Sequence, residues 1–213
     1  MPRKTGLAAT LAAGLLAAGC SVFGGAAAPE PSYTVVRAEP PFEIRDYPAL
    51  TVVQTTVERG YDGAINQGFG RLFDYISGAN SGSREIAMTA PVLTEPETAG
   101  ETIAMTAPVL TEESGAAWTT SFVLPEGMDL ETAPQPTDPA VRLARIPPRR
   151  LAVVRFSGFF SEGNIAENRQ RLAGWLAEQG AQVAGDWQAA GYNPPWTLPW
   201  GRRNEVLVPI AQP

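Results

Sequence analysis

Histidine is absent from the 213 residues, and the only lysine is Lys4. The first absence removes the commonest protein metal ligand and the usual general base near neutral pH. The second leaves no side-chain amine beyond residue 4 for Schiff-base chemistry. A single cysteine, Cys20, excludes an intrachain disulfide. Positive charge is scarce. Sixteen Lys and Arg against 22 Asp and Glu give −6, which becomes −8 when Arg3 and Lys4 are set aside. A chain of that sign without a basic stripe is repelled by nucleic acid. No Gly-rich phosphate loop and no cluster of metal ligands occurs, and a serine triad lacks its histidine, so no enzyme signature stands out.

What is present begins with the N-terminus. Arg3 and Lys4 precede an apolar run, Leu7 to Ala18, of signal-peptide length. The run ends Leu16-Ala-Ala-Gly-Cys20, which resembles a bacterial lipoprotein signal in which the cysteine thiol is lipidated. Residues 1–19 are therefore expected to be a leader and Cys20 the lipidation site. Several acyl chains would anchor the protein firmly to a membrane. Ser21 after the cysteine favours the outer membrane, with the domain facing the periplasm. The competing reading is an ordinary signal peptide with an incidental cysteine. Residues 20–32, small and Pro/Gly/Ala-rich, read as a flexible tether. Residues 33–213 read as one domain.

A ten-residue phrase occurs twice, Ile86 to Glu95 and Ile103 to Glu112, with identical residues 17 positions apart. Either two neighbouring strands share an environment, or a local duplication was tolerated as an insertion. Strand-like alternation marks Tyr33 to Arg37, Phe42 to Tyr47, Leu50 to Val57, Trp118 to Leu124, Leu151 to Gly158 and Asn204 to Ile210. Gln182 to Tyr192 reads as extended, and Glu131 to Pro139 as a loop. From Gly60 to Ser77 the apolar period becomes helical, through Ala64, Ile65, Phe69, Leu72, Phe73 and Ile76. Asp62 is a candidate cap and Gly78 a stop. A second helix is expected from Asn164, as cap, to Gln179, stopped by Gly180. The order strand, helix, strands thus occurs twice, over Leu50 to Leu124 and Leu151 to Ile210. It implies an α+β domain with an antiparallel sheet and helices packed on it.

Several phrases together are specific: the repeated Ile-Ala-Met-Thr-Ala-Pro-Val, Trp118 to Pro125, Ile146 to Gly158, and Tyr192-Asn-Pro-Pro-Trp196 with Gly201-Arg-Arg-Asn-Glu-Val206. On these the chain resembles the SOUL/haem-binding protein family from about Tyr33 to Ile210. The resemblance implies a distorted β-barrel of two βαββ repeats with two long helices, a fold shared with bacterial effector-binding domains. It also implies non-covalent binding of haem or a related tetrapyrrole in a shallow apolar pocket beside the first helix. Phe69, Leu72 and Phe73 are the expected pocket wall. Where family members can carry lysine, this chain has Asp74 on the helix and Thr197 or Leu198 in the proline loop. Without histidine, binding would rest on apolar area, and no metal-ligand set is expected.

The remaining candidates each have a plainer reading. Arg202 and Arg203 beside Asn204 and Glu205 form a compact polar knot, read as a propionate or substrate-carboxylate clamp, or as an ion pair anchoring the last strand. Met88 and Met105 are iron ligands or sheet packing. Tyr61, Tyr75 and Tyr192 are phenolate ligands or core. Arg149 and Arg150 read as a solvated strand end, and Glu85, Glu95 and Glu112 as scattered carboxylates. Three functional readings follow: a lipid-anchored binding module; a structural lipoprotein that kept the fold and presents the Tyr192 to Trp200 loop to a protein partner not yet identified; and, with the least support in the sequence, an enzyme acting on a tetrapyrrole or small lipid.

Overall fold

The computed structural model describes residues 29–81, 101–114, 117–194 and 196–211. The leader, Cys20 and the first copy of the repeated phrase, with Glu85, Met88 and Glu95, lie outside the described residues. The elements in chain order are β1 (Thr34–Glu39), β2 (Phe42–Tyr47), β3 (Leu50–Val57), α1 (Tyr61–Ile76), β4 (Asn80–Ser81), β5 (Val109–Ser114), β6 (Ala117–Val123), β7 (Gln135–Pro136), β8 (Val141–Ile146), β9 (Arg149–Phe156), α2 (Glu162–Glu178), β10 (Gln188–Gly191), a 3-10 turn (Pro199–Gly201) and β11 (Asn204–Pro209).

Nine strands form one antiparallel sheet in the order β1-β2-β9-β11-β10-β5-β6-β3-β8. The order is palindromic about the β10–β5 pair. On one side lie β5, β6 and β3, and on the other β10, β11 and β9, so β3-α1-β5-β6 and β9-α2-β10-β11 are two βαββ units about a pseudo-twofold. The expected architecture is observed, as a curled sheet that stops short of closing.

Strand alternation explains the curl. Val52, Leu110, Val123, Leu151, Val153, Ala190 and Leu207 face inward and pack with Tyr47 into one core. Those residues come from β2, β3, β5, β6, β9, β10 and β11, so the sheet must wrap for them to meet. Their chain neighbours face outward under the helices. Val53 and Phe122 pack with Leu72, Tyr75 and Ile76 of α1. Ala152, Val154, Val206 and Val208 pack with Leu172, Trp175 and Leu176 of α2.

The helices fall where the period placed them, but their caps differ. The α1 N-cap is Gly60, without a side-chain cap bond, and Asp62 sits in the first turn. Ser161, not Asn164, caps α2, its hydroxyl accepting from the Asn164 amide at 3.4 Å. Gly78 and Gly180 end the helices with φ of 116° and 65°, conformations open to glycine at no steric cost. Strand β8 is an addition to the expected set. Of the stretch read as extended, 182–192, only Gln188–Gly191 is strand, with an isolated bridge from Val183 to Ile210. The region read as a loop, 131–139, contributes the two-residue β7, which pairs with β4.

The second copy of the repeated phrase is half coil and half strand. Ile103 is buried and its amide donates to the Ile76 carbonyl at 2.7 Å, while Val109 to Glu112 lie in β5.

Candidate functional site

Three regions hold the expected site residues or unusual chemistry. The first is the flank of α1. Tyr61, Ala64, Gly68, Leu72 and Tyr75 form the buried seam against the sheet. Ile65, Phe69 and Phe73, spaced four residues apart, run beside it, which puts them in one line along the helix. The Phe69 ring meets Phe122 edge-on at 5.3 Å and lies nearly parallel to Phe73, with centroids 6.1 Å apart and planes 12° apart. Phe73 is 47% exposed and Leu72 is 0% exposed. Of the expected pocket wall, Phe73 is accessible, Phe69 is partly buried against Phe122 beside it, and Leu72 lies beneath them in the core. Asp74 is exposed at the next position.

The second region is a buried polar knot on the inner face of the sheet. Arg45 of β2 gives Glu205 of β11 two hydrogen bonds, at 2.8 and 3.0 Å, and both side chains are sealed from water. Tyr192 donates to Glu205 at 2.7 Å, and Arg203 adds a further bond at 3.0 Å. The Arg45 guanidinium also lies 4.5 Å over the Tyr33 ring, and that of Arg203 3.9 Å over Tyr192. Burial alone pushes the Glu205 carboxyl up. The Arg45 and Arg203 guanidiniums and the Tyr192 hydroxyl together overcome burial and hold it below the ordinary carboxylate range.

Arg203 is thus committed to Glu205 and, through Nη1, to Glu30 at 2.9 Å. Arg202 donates from Nε to the Thr197 carbonyl at 2.7 Å and stacks over Phe159. These partners are those of a strand anchor. The contacts described for the two arginines, to Thr197, Phe159, Glu205 and Glu30, lie on other elements than Phe69 and Phe73 of α1, so the expected wall and the expected clamp sit on different elements.

The tyrosines are equally engaged. Tyr75 donates to the Pro134 carbonyl at 2.8 Å, and burial pushes its phenol up to about 12. Burial raises Tyr61 and Tyr192 as well, so all three phenols stay protonated near neutral pH. Among the described residues no group of His, Cys, Asp and Glu is arranged to hold a metal ion.

The third region comprises two clefts. One, of about 280 Å³, opens onto the inner face between Gln54, Glu112, Ser121, Arg149 and Gln188. There Arg149 donates to Gln188 at 2.8 Å and Gln188 to Glu112 at 2.8 Å. The Arg149 Nε finds no partner among the described residues, and burial pulls its guanidinium below the ordinary value. Arg149 is therefore an inner-face residue rather than a solvated end, whereas Arg150 pairs with Asp46 at 2.7 Å. The other cleft, of about 670 Å³, runs between Glu30 to Ser32, Pro48 to Thr51 and Val123 to Asp129. Neither cleft is lined by a residue of α1.

Sequence reasoning singled out Glu205 but missed Arg45, its partner 160 residues away. The available signal was Arg45 sharing a strand face with Tyr47, two residues on.

Solved structures share this architecture at low identity. The EcmrR C-terminal domain superposes with a TM-score of 0.58 at 9% identity, covering 85% of this chain and 99% of that domain. At that identity the likeness speaks for the fold. Sequence relatives are more specific. Heme-binding protein 2 of Homo sapiens is 32% identical over 169 residues, 78% of this chain and 77% of that protein. Heme-binding protein 1 of Xenopus laevis is 26% identical over 166 residues, 78% and 81% of the two chains. The pattern named SOUL heme-binding protein matches residues 28–99 and 95–209, which span both βαββ units. With that match added to the palindromic sheet and its two flanking helices, the chain belongs to the SOUL heme-binding protein family.

Proposed function

We propose that this protein is a lipid-anchored envelope protein that binds haem or a related planar tetrapyrrole without histidine ligation. The observation that carries the ligand is the Phe69–Phe73 pair, two nearly parallel rings on an exposed flank of α1 in a member of this family. A flat apolar macrocycle gains most by covering such a strip, through ring contact and exclusion of water. The chain has no imidazole for the iron, and its buried phenols are held protonated by their surroundings. Binding by surface coverage implies ready exchange, as suits a carrier or buffer. The anchor rests on the sequence leading into Cys20, and the expected address is the periplasmic face of the outer membrane. No feature of the site asks for turnover of the ligand.

Titration of the purified protein with hemin tests this, read in the Soret band. Saturable binding is expected, without a bis-histidine spectrum. Phe69→Ala and Phe73→Ala together remove two large rings, each worth about 1.5–3 kcal/mol when fully covered. Because Phe69 is already partly covered and Phe73 half so, the lower end is expected, a loss of about tenfold or more in affinity. Absence of a saturable shift, or full binding by the double variant, would refute the site. Intact mass of the protein from its native envelope reports lipid on Cys20.

A further inference from the structure

Two loops at one end of the sheet carry no charged residue along their whole length. They are Phe156-Ser-Gly-Phe-Phe-Ser161 and Tyr192-Asn-Pro-Pro-Trp-Thr-Leu-Pro-Trp-Gly201. Between them they expose four large apolar side chains: Trp196 at 81%, Trp200 at 76%, Phe159 at 61% and Leu198 at 43%. Single exposed apolar residues are ordinary, but four on adjoining loops form a patch of the kind that docks.

The loops are held in place. The Gly158 amide donates to the Pro199 carbonyl at 2.9 Å, and the Gly201 amide to Leu198 at 2.9 Å. Arg202 grips the Thr197 carbonyl and covers Phe159, and the Asn164 side chain donates to the Phe159 carbonyl at 2.9 Å. The loop backbones are therefore already ordered, and docking costs only the side-chain freedom of the exposed rings.

The N-terminal segment reaches the domain at this same end. The Pro29 carbonyl accepts from Ala107, just ahead of β5, and β5 begins where β10 ends and the tryptophan loop starts. The Glu30 carboxylate is held by Arg203, the chain neighbour of the arginine that grips the loop. Cys20 is ten residues before Glu30. Ten residues span at most about 36 Å. A lipid on Cys20 would thus hold the tryptophan loop within reach of the bilayer that contains the lipid.

We propose that Phe159, Trp196, Leu198 and Trp200 form a foot that inserts into the headgroup boundary of the membrane carrying the anchor. The proposal rests on the anchor described above. Indole is suited to that boundary, with an apolar body and one N–H donor. The chain beyond residue 4 has no lysine and a charge of −8 once Arg3 and Lys4 are set aside, so attraction to anionic lipid is not the driving force. Docking should accordingly occur on zwitterionic lipid and resist salt.

The test uses the full chain isolated from expressing cells, its Cys20 mass determined, and added to phosphatidylcholine vesicles with or without bromine on the acyl chains. The signal is the tryptophan emission of the wild type minus that of Trp196→Ser/Trp200→Ser. That emission should shift to the blue on vesicles, be quenched by brominated lipid, and be shielded from aqueous iodide, at low and high salt alike. If vesicle-bound protein keeps these two tryptophans open to iodide and unquenched by bromolipid, the foot is refuted and the loop is left for a protein partner. If the mass shows no lipid on Cys20, the anchor fails separately. Bromolipid quenching of the unlipidated chain then still decides the foot: quenching supports it, and none overturns it. Circular dichroism of the variant guards against misfolding, to which these exposed positions should be indifferent.

Discussion

The Arg45–Glu205 pair shows how a residue's environment decides its value. Two charges sealed from water gain from each other only if their remaining hydrogen-bond sites are largely met, and here Tyr47, Tyr192, Arg203 and Glu43 meet most of them. Removing one partner leaves the other buried and unpaired. Glu205→Leu should therefore cost about 3–5 kcal/mol of unfolding free energy, measured by urea denaturation. Adding Arg45→Met should restore much of that loss, because a well-filled apolar pair avoids the desolvation penalty. The same carboxylate sets an acid limit. Its folded pKa lies below the ordinary value, so the unfolded state binds its proton first as pH falls. The stabilisation is complete above the unfolded carboxylate value of about 4.3 and declines as pH drops below it toward the folded value. A denaturation midpoint that is flat from neutrality to about pH 5 and falls below that is expected, and the Glu205→Leu/Arg45→Met variant should fall less steeply. The sequence marked Glu205 as part of a polar cluster. It could not supply Arg45, because alternation in β2 assigns residues to two faces without saying that both faces are covered.

At the scale of elements, the long helices and most strands were readable because one residue's burial predicts the next through a fixed period. Strand β8 escaped because Arg142 and Arg145 interrupt its apolar residues, which is how an edge strand is protected. The helix caps escaped because several polar residues compete near each start and only the backbone path selects one. Another feature no period reveals is the contact between α1 and β6. A Cβ on Gly68 would meet Thr120 Oγ1 at 2.6 Å and Thr120 Cβ at 3.0 Å. Gly68 thus lets the helix approach the strand closely. Helix propensity alone would make Gly68→Ala favourable by about 1 kcal/mol. Overpacking of about 1–3 kcal/mol should outweigh it, so the melting temperature should fall. Thr120→Ala in the same chain removes the nearer obstacle and should recover part of the loss. A rise in melting temperature for Gly68→Ala alone would show that the seam is looser than these contacts require.

For the whole molecule, the palindromic sheet explains why the fold was legible from a pattern seen twice, and the repeated phrase explains where that reading stalled. The duplicated residues suggested either two strands or one strand and an insertion. The described residues locate the junction. Asn80 donates to the Glu101 carbonyl at 2.8 Å and accepts from the Glu101 amide at 2.9 Å, so positions 80 and 101 are neighbours in space. The described chain thus stops after β4 and resumes beside it. From there the second copy supplies Ile103 to the α1 core and Val109 to Glu112 to β5. The family pattern likewise breaks at this point, ending its first match at 99 and beginning its second at 95. Deletion of the 17 residues 84–100 keeps Asn80, Ser81 and Glu101 and leaves Gly82 and Ser83 to join them. Loop length enters stability only logarithmically, so the change should stay within about 1 kcal/mol. The deleted chain should unfold near the parent temperature and bind hemin as the parent does, since Phe69, Phe73 and the whole nine-stranded sheet are untouched. A deletion that unfolds the domain would mean that the first copy contributes a strand or a core of its own, and the two βαββ units would then be unequal partners rather than one pattern used twice.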